Sequence, residues 1–139
     1  MVSNYKIFKT IAVVLGLIVF FWLIYDYQNS IGKVNQNYIE ANNNFLKKNY
    51  LKALDLYRKV SKLEPNNLYA LEGEARCLMR LQNHNEALEI FKLVLKRDKN
   101  FVPALTNIAI LYDTIEDYEK AIIYYTKAIE QDQRLLNRM

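Results

Sequence analysis

The sequence has 139 residues, of which 52% are hydrophobic and 13% aromatic, a composition too apolar for an intrinsically disordered chain. Only three glycines and two prolines are present, which favours long helices over a turn-rich β fold. The net charge of +4 falls to +2 without residues 1–33, since 16 basic and 14 acidic side chains remain, and so weak a charge predicts no nucleic-acid partner.

A long apolar segment lies near the amino terminus. Residues 10–25 read TIAVVLGLIVFFWLIY without a charged side chain, and the three preceding residues extend the segment to nineteen. At about 1.5 Å per residue, such a helix approaches the roughly 30 Å hydrocarbon core of a bilayer. Trp22, Tyr25 and Tyr27 lie at one end, where interfacial aromatic side chains are typical. We predict a single transmembrane anchor at 10–25, preceded by a basic flank at 1–9.

Two other interpretations of the apolar segment fit less well. A cleaved signal peptide requires small residues at its cleavage site, and the Tyr-Asp-Tyr-Gln sequence at 25–28 supplies none. A buried core helix of a globular domain usually has a polar face, and none is present between Ile11 and Trp22.

The charges that flank the segment predict its orientation. Lys6, Lys9 and the terminal amine precede it, whereas only Lys33 lies within the first twenty residues after it. The positive-inside rule then favours a cytoplasmic amino terminus, with the rest of this single-pass chain on the other side of the membrane.

The remainder of the sequence has an internal period of 34 residues. Alanines recur at this interval in two series, Ala41, Ala75 and Ala109 and then Ala53, Ala87 and Ala121. Aromatic residues recur at Tyr57, Phe91 and Tyr125. Antiparallel helices approach closely where a small side chain faces the partner, and an aromatic ring four residues after the second alanine lies on the same helix face. The period therefore predicts helical hairpins that stack around one shared core.

This spacing resembles the tetratricopeptide repeat. The most complete copy reads YLKALDLYRKVSKLEPNN, in which Ala53, Tyr57 and Pro65 match the family's small, aromatic and proline positions, whereas Lys99 and Gln133 replace that proline in the later copies. The resemblance implies an all-α chain, with the transmembrane helix followed by a right-handed α-solenoid of three antiparallel helix pairs. The predicted repeats cover 34–67, 68–101 and 102–135, with a linker at 26–33 and a tail at 136–139.

The apolar periodicity and the turn residues place six helices in these repeats. We expect them at 35–48, 51–63, 69–82, 85–97, 103–116 and 119–131. The linker contains Gly32 but is compatible with a continuous helix.

The resemblance also implies a binding site. In tetratricopeptide domains the first helices line a concave groove, which takes extended or helical segments of partner proteins. Carried over position by position, the groove candidates are Asn35, Tyr38, Asn42, Phe45 and Leu46, then Tyr69, Glu72, Arg76, Met79 and Arg80, and then Thr106, Ile110 and Asp113.

Two alternatives remain open for the arginines of this set. Arg76 and Arg80 lie one helical turn apart and could hold a partner's carboxylate or backbone carbonyl, or Arg76 could pair with Glu72 instead. The chaperone-binding members of the family clamp a terminal carboxylate with five Lys, Asn and Arg side chains. This sequence has Tyr38, Asn42, Gly73, Pro103 and Asn107 at those positions and keeps only the asparagine of the first repeat, so chaperone-tail binding is not expected.

No catalytic constellation is present in the sequence. The three serines lie outside nucleophile motifs, and no glycine-rich loop could cradle a phosphate. Cys77 and His84 are the only residues of their types, and neither has metal-ligand spacing around it, so His84 is interpreted as a turn-packing residue. We therefore expect no enzyme activity, no cofactor and no metal.

These observations favour a membrane-tethered scaffold or assembly factor. A short anchor followed by three repeats resembles small tetratricopeptide proteins that assist photosystem assembly in thylakoid membranes. The alternative is a structural protein that forms a homodimer, because solenoids need a polar cap and the last helix pair presents Ile122, Ile123 and Ile129. We expect these side chains to be covered by a continuation of the last helix, by a partner or by a second copy, or to remain as a tolerated apolar edge.

Overall fold

The computed structural model describes residues 2–132, with side chains from Ile7 onward. These residues form six α-helices and no strand. The helices are α1 (Val2–Leu46), α2 (Tyr50–Leu63), α3 (Leu68–Arg80), α4 (His84–Arg97), α5 (Val102–Thr114) and α6 (Tyr118–Gln131). The predicted tail, the end of the third predicted repeat and any continuation of α6 to Met139 lie outside the described residues.

The helix α1 covers the predicted anchor, the linker and the first helix of the first repeat. A boundary between two compact units falls within it, between Gln36 and Asn37. In the amino-terminal unit the apolar side chains from Ile7 to Ile24 are exposed. Within the described part of the chain, α1 is the one helix long and apolar enough to cross a membrane. None of the residues in the most apolar part of α1 is buried within the structure.

The second unit consists of antiparallel helix pairs, as predicted. The helices α2, α4 and α6 each have one apolar face, and each begins one residue before the predicted position. The helix predicted to begin at residue 35 is instead the last part of α1, which begins at Val2. Between the pairs, Glu64 caps α2, and the Asn67 side chain accepts a hydrogen bond from the Ala70 amide at 3.0 Å to begin α3. The break expected at Pro65 is therefore confirmed.

The core follows the predicted period. The alanines of both series are buried, as are Tyr57 and Phe91, whereas their third-repeat equivalent Tyr125 is half-buried. Each pair leaves an apolar face that the next pair covers, because α2 packs on α3 and α4 packs on α5. The resulting core is continuous from Ala41 to Ala121.

One close approach in this core was not predicted. A Cβ atom added at Gly73 would lie 2.5 Å from two ring carbons of Tyr57. The α3 backbone therefore lies directly against the Tyr57 ring, and this spacing requires glycine.

Candidate partner-binding face

The first helices of the three pairs lie side by side. The Arg76 guanidinium on α3 lies 4.5 Å from the centre of the Phe45 ring on α1. On the other side of α3, Asn107 of α5 donates a hydrogen bond from Nδ2 to Glu72 Oε1 at 2.8 Å. These contacts bring residues of all three repeats onto one surface, which we call the first-helix face.

At the α1 end of this face, both polar atoms of the Asn42 side-chain amide form hydrogen bonds. Its Oδ1 accepts a hydrogen bond from the Tyr57 hydroxyl at 2.7 Å, and its Nδ2 donates to the Tyr38 carbonyl at 3.1 Å. The Tyr38 ring packs edge-on against Tyr57, with 5.9 Å between the ring centres. Burial raises the pKa of Tyr57 to about 12, although the positive charge of Arg76 opposes the shift. The Asn42 amide is thus part of the structural support of the face.

At the centre, the charges of Arg76 and Glu72 compensate one another. Arg76 Nε lies 3.1 Å from Glu72 Oε1, within ion-pair distance, but it makes no well-directed hydrogen bond. The attraction is therefore mainly Coulombic. Burial raises the pKa of Glu72, and the Arg76 charge and the Asn107 hydrogen bond partly offset that effect. Of the two alternatives for Arg76, the structure shows the pairing with Glu72.

The other candidate residues divide into accessible and buried ones. Tyr69, Arg80, Ile110 and Asp113 are exposed, and Thr106 is half-buried. Met79 is buried in the core, so its side chain is not accessible to a partner, contrary to what a groove position implies. The accessible part of the face is therefore an open surface of mixed apolar and charged character. Tyr69 is held in place by edge contact with the Phe101 ring, with 5.1 Å between the ring centres.

The sequence pattern assigns no binding role to two residues that support this face. Tyr57 fits a core aromatic position of the repeat, and Asn107 departs from the chaperone-binding pattern. Each bonds across a helix interface, to Asn42 and to Glu72. The 34-residue period places Tyr57 and Asn107 on known helix faces, but it does not show which polar atoms pair.

Four depressions on the surface of the described residues lie away from the first-helix face. One is lined by residues 48–52 and Leu81, two more lie at the turns 64–67 and 82–86, and a fourth lies beside α6. Among residues 7–132, no group of three or more His, Cys, Asp or Glu side chains is placed to hold a metal ion.

Comparison with known proteins agrees with this geometry. Sequence profiles described as tetratricopeptide repeat match residues 45–108 and 102–134. The chain belongs to the tetratricopeptide repeat family. A comparison with curated protein sequences found no match.

Several solved tetratricopeptide structures have the same fold. The TPR2B domain of yeast Sti1, in its pHsp70 complex, is 23% identical with a TM-score of 0.69, over 76% of this chain and 84% of that one. The Sgt2 TPR domain from Aspergillus fumigatus is 26% identical with a TM-score of 0.67, over 72% of this chain and 66% of that one. The first TPR of Spaghetti (RPAP3), bound to the HSP90 peptide SRMEEVD, is 20% identical with a TM-score of 0.67, over 73% of this chain and 80% of that one.

Proposed function

We propose that this tetratricopeptide protein is a membrane-tethered scaffold or assembly factor that binds a segment of a partner protein on its first-helix face. The observation that carries the proposal is the alignment of three first helices by the Phe45–Arg76 and Glu72–Asn107 contacts. Such an array fixes side chains of successive repeats at regular spacing. A partner segment can then contact several of them at once with little reorganisation.

The membrane tether follows from the exposed apolar stretch in α1. We propose that residues 10–25 cross the bilayer, because exposed side chains of this kind are stable in lipid and costly in water. A tether confines the scaffold to two dimensions and raises its effective concentration for partners in the same membrane.

The chemistry of the face indicates which partners it disfavours. Two of the similar structures are complexes with pHsp70 and with an HSP90 peptide that carries acidic residues. Here Gly73 lies beneath the Tyr57 ring, Asn107 is bonded to Glu72, and the central Arg76 is already compensated. At this centre Arg76 is already paired, and a terminal carboxylate bound to Arg76 would lie near the Glu72 carboxylate. We therefore propose an internal segment with apolar side chains, which would pack on Tyr69 and Ile110, as the ligand.

Site-specific photo-crosslinking in intact membranes tests this function. A photoreactive phenylalanine replaces Tyr69 or Ile110 on the face, and it replaces Glu89, an exposed residue of α4, as the control. We expect the same partner to be crosslinked from both face positions and not from Glu89. Crosslinking of no protein at either face position, with the chain correctly inserted, would contradict the proposal.

A narrower proposal, assistance of photosystem assembly, rests on the layout of one short anchor and three repeats. The crosslinking experiment tests it separately from the scaffold function. Photosystem subunits among the face-specific products would support it, and a different set of membrane proteins would reject it while leaving the scaffold function intact.

A second candidate function is structural self-association through α6. Ile122 is 65% exposed and Ile123 is half exposed, so the last helix has an apolar surface. Light scattering coupled to size-exclusion chromatography on residues 34–139 distinguishes a dimer from a monomer. A dimer that Ile122→Asn dissociates would support this candidate, and a monomer at high micromolar concentration would exclude it.

A further inference from the structure

Two leucines that flank the turn between α1 and α2 are unusually exposed. Leu46 ends α1 and is 78% exposed, and Leu51 in the first turn of α2 is 72% exposed. These are the highest values among the exposed large hydrophobic residues of the described chain, above those of the apolar membrane segment. We call residues 46–52 the leucine–lysine tip. Exposure of a leucine side chain to water has an unfavourable free energy, and a partner that covers the side chain removes that cost.

The other repeats show that the fold does not require these leucines. At the positions equivalent to Leu46, the second and third repeats have Arg80 and Thr114, and at those equivalent to Leu51 they have Asn85 and Glu119. The turns have the same conformation in all three repeats, with positive φ angles of 63° to 65° at Lys48, Gln82 and Glu116. Polar residues therefore serve the turn equally well, and the leucines of the first repeat need another explanation.

The tip has a rigid base. The Lys48 amide donates to the Phe45 carbonyl at 2.9 Å, and the Asn49 amide donates to the Asn44 carbonyl at 2.9 Å. The Phe45 and Tyr50 rings pack edge-on, with 5.4 Å between their centres. The leucines are therefore held in place before any partner arrives, which reduces the entropy cost of binding.

The charge around the leucines is positive. Lys47 and Lys48 are exposed, and among the described contacts neither has an ion-pair partner, whereas Lys52 pairs with Glu40 at 2.7 Å. No acidic residue occurs between Ala41 and Leu54. Beside the leucines, residues 48–52 and Leu81 line a depression that could receive an apolar side chain. Exposed leucines next to unpaired lysines are complementary to a segment that carries leucines and carboxylates together.

We propose that the leucine–lysine tip is a second docking surface, distinct from the part of the first-helix face around Tyr69 and Ile110, for an acidic amphipathic segment of a partner protein. Leu46, a groove candidate by its repeat position, belongs to this second surface. Leu46 and Leu51 contact the apolar side of that segment, and Lys47 and Lys48 pair with its carboxylates. The chain would then hold two partner segments at once, one on the face and one on the tip.

Fluorescence anisotropy on the full chain, in nanodiscs of zwitterionic lipid, tests the proposal. The probe is a labelled synthetic peptide with leucines along one side and glutamates along the other, and a peptide with lysines in place of the glutamates is the control. The double variant Leu46→Asn, Leu51→Asn should bind the acidic peptide at least about tenfold more weakly, since the burial of even one leucine is worth about that much. Leu63→Asn, at an exposed leucine outside the tip, should leave binding unchanged.

Further measurements distinguish binding at the tip from binding at other sites. Tyr69→Ala on the first-helix face should not alter binding of the acidic peptide, and raised salt should weaken it. Equal binding of the two peptides, or equal binding by the parent and the double variant with unchanged circular dichroism, would overturn the proposal. So would a parent chain that leaves the peptide unbound but captures vesicles of anionic lipid through the same residues, because the tip would then bind a membrane surface.

Discussion

Close packing in the repeat unit depends on small residues at a few positions. The alanines of the two series could be predicted, because side-chain size is a local property that recurs every 34 residues. The requirement for Gly73 could not, because it depends on the position of the Tyr57 ring on another helix and has no equivalent in the other repeats. The same limit applies to polar contacts such as Asn107 with Glu72, whose partners lie 35 residues apart.

Substitution of Gly73 tests this close approach. Gly73→Ala should lower the free energy of unfolding by about 1–2 kcal/mol, because the overlap with the buried Tyr57 ring outweighs the gain in helix propensity. Gly32→Ala is the matched control, since apart from its chain neighbours and the adjacent helix backbone nothing lies within 4 Å of its added Cβ, and the substitution only favours the helix. Chemical denaturation of the full chain in detergent micelles measures the free energy of unfolding of both variants. A stability for Gly73→Ala at or above that of the parent would show that the ring moves aside freely.

The buried thiol of Cys77 and the buried hydroxyl of Tyr57 should make the fold less stable at high pH. Burial raises the pKa of Cys77 from 9.0 to about 12 and that of Tyr57 from 10.0 to about 12. The unfolded chain therefore loses these protons at lower pH than the folded chain. Stability is complete below about pH 9 and falls as the pH rises towards 12.

The size of this effect can be measured. The free energy of unfolding should drop by about 3 kcal/mol between pH 8 and about pH 10.5, in unfolding curves recorded at both values. The variant Cys77→Ala removes the larger contribution, so its loss over the same interval should be less than half as large. If Cys77→Ala and the parent lose the same stability, the thiol does not titrate as its burial requires.

At the scale of the elements, the first helices of all three repeats end two residues before the predicted positions. A residue with positive φ follows each of them, at Lys48, Gln82 and Glu116. The next amide then donates to the carbonyl five residues earlier, as in the bond from Asp117 to Tyr112 at 2.9 Å. This is the Schellman end of a helix, where glycine is usual. Because none of the three residues is glycine, the sequence contained no signal for these ends.

Glycine at one of these positions should therefore stabilise the fold. Glu116→Gly should raise the free energy of unfolding by about 0.5–1 kcal/mol, because a side chain in the left-handed conformation costs about 1–2 kcal/mol and glycine recovers only part of it. Glu116→Ala is the control, since it removes the carboxylate and retains the Cβ atom. Thermal unfolding followed by circular dichroism compares the three proteins. An equal shift for alanine and glycine would assign the effect to the charge rather than to the backbone.

At the scale of the whole molecule, the proposed tether makes function depend on which side of the membrane the repeats occupy. Lys6 and Lys9 precede the apolar segment, and Lys33 is the nearest basic residue after it. Retention of the more basic flank in the cytoplasm would place the repeats, with both docking surfaces, on the opposite side. Partner proteins would then be limited to those with segments exposed on that side.

Protease protection in sealed vesicles tests this orientation. With an epitope tag at the carboxyl terminus, the repeats should resist protease in inside-out vesicles and be digested only when detergent opens them. Lys6→Glu combined with Lys9→Glu reverses the charge difference across the segment and should convert a substantial fraction of the chain to the protease-sensitive orientation. Complete digestion of the parent in intact inside-out vesicles would place the repeats in the cytoplasm. The partners of the first-helix face and of the leucine–lysine tip would then be cytoplasmic proteins or the cytoplasmic segments of membrane proteins.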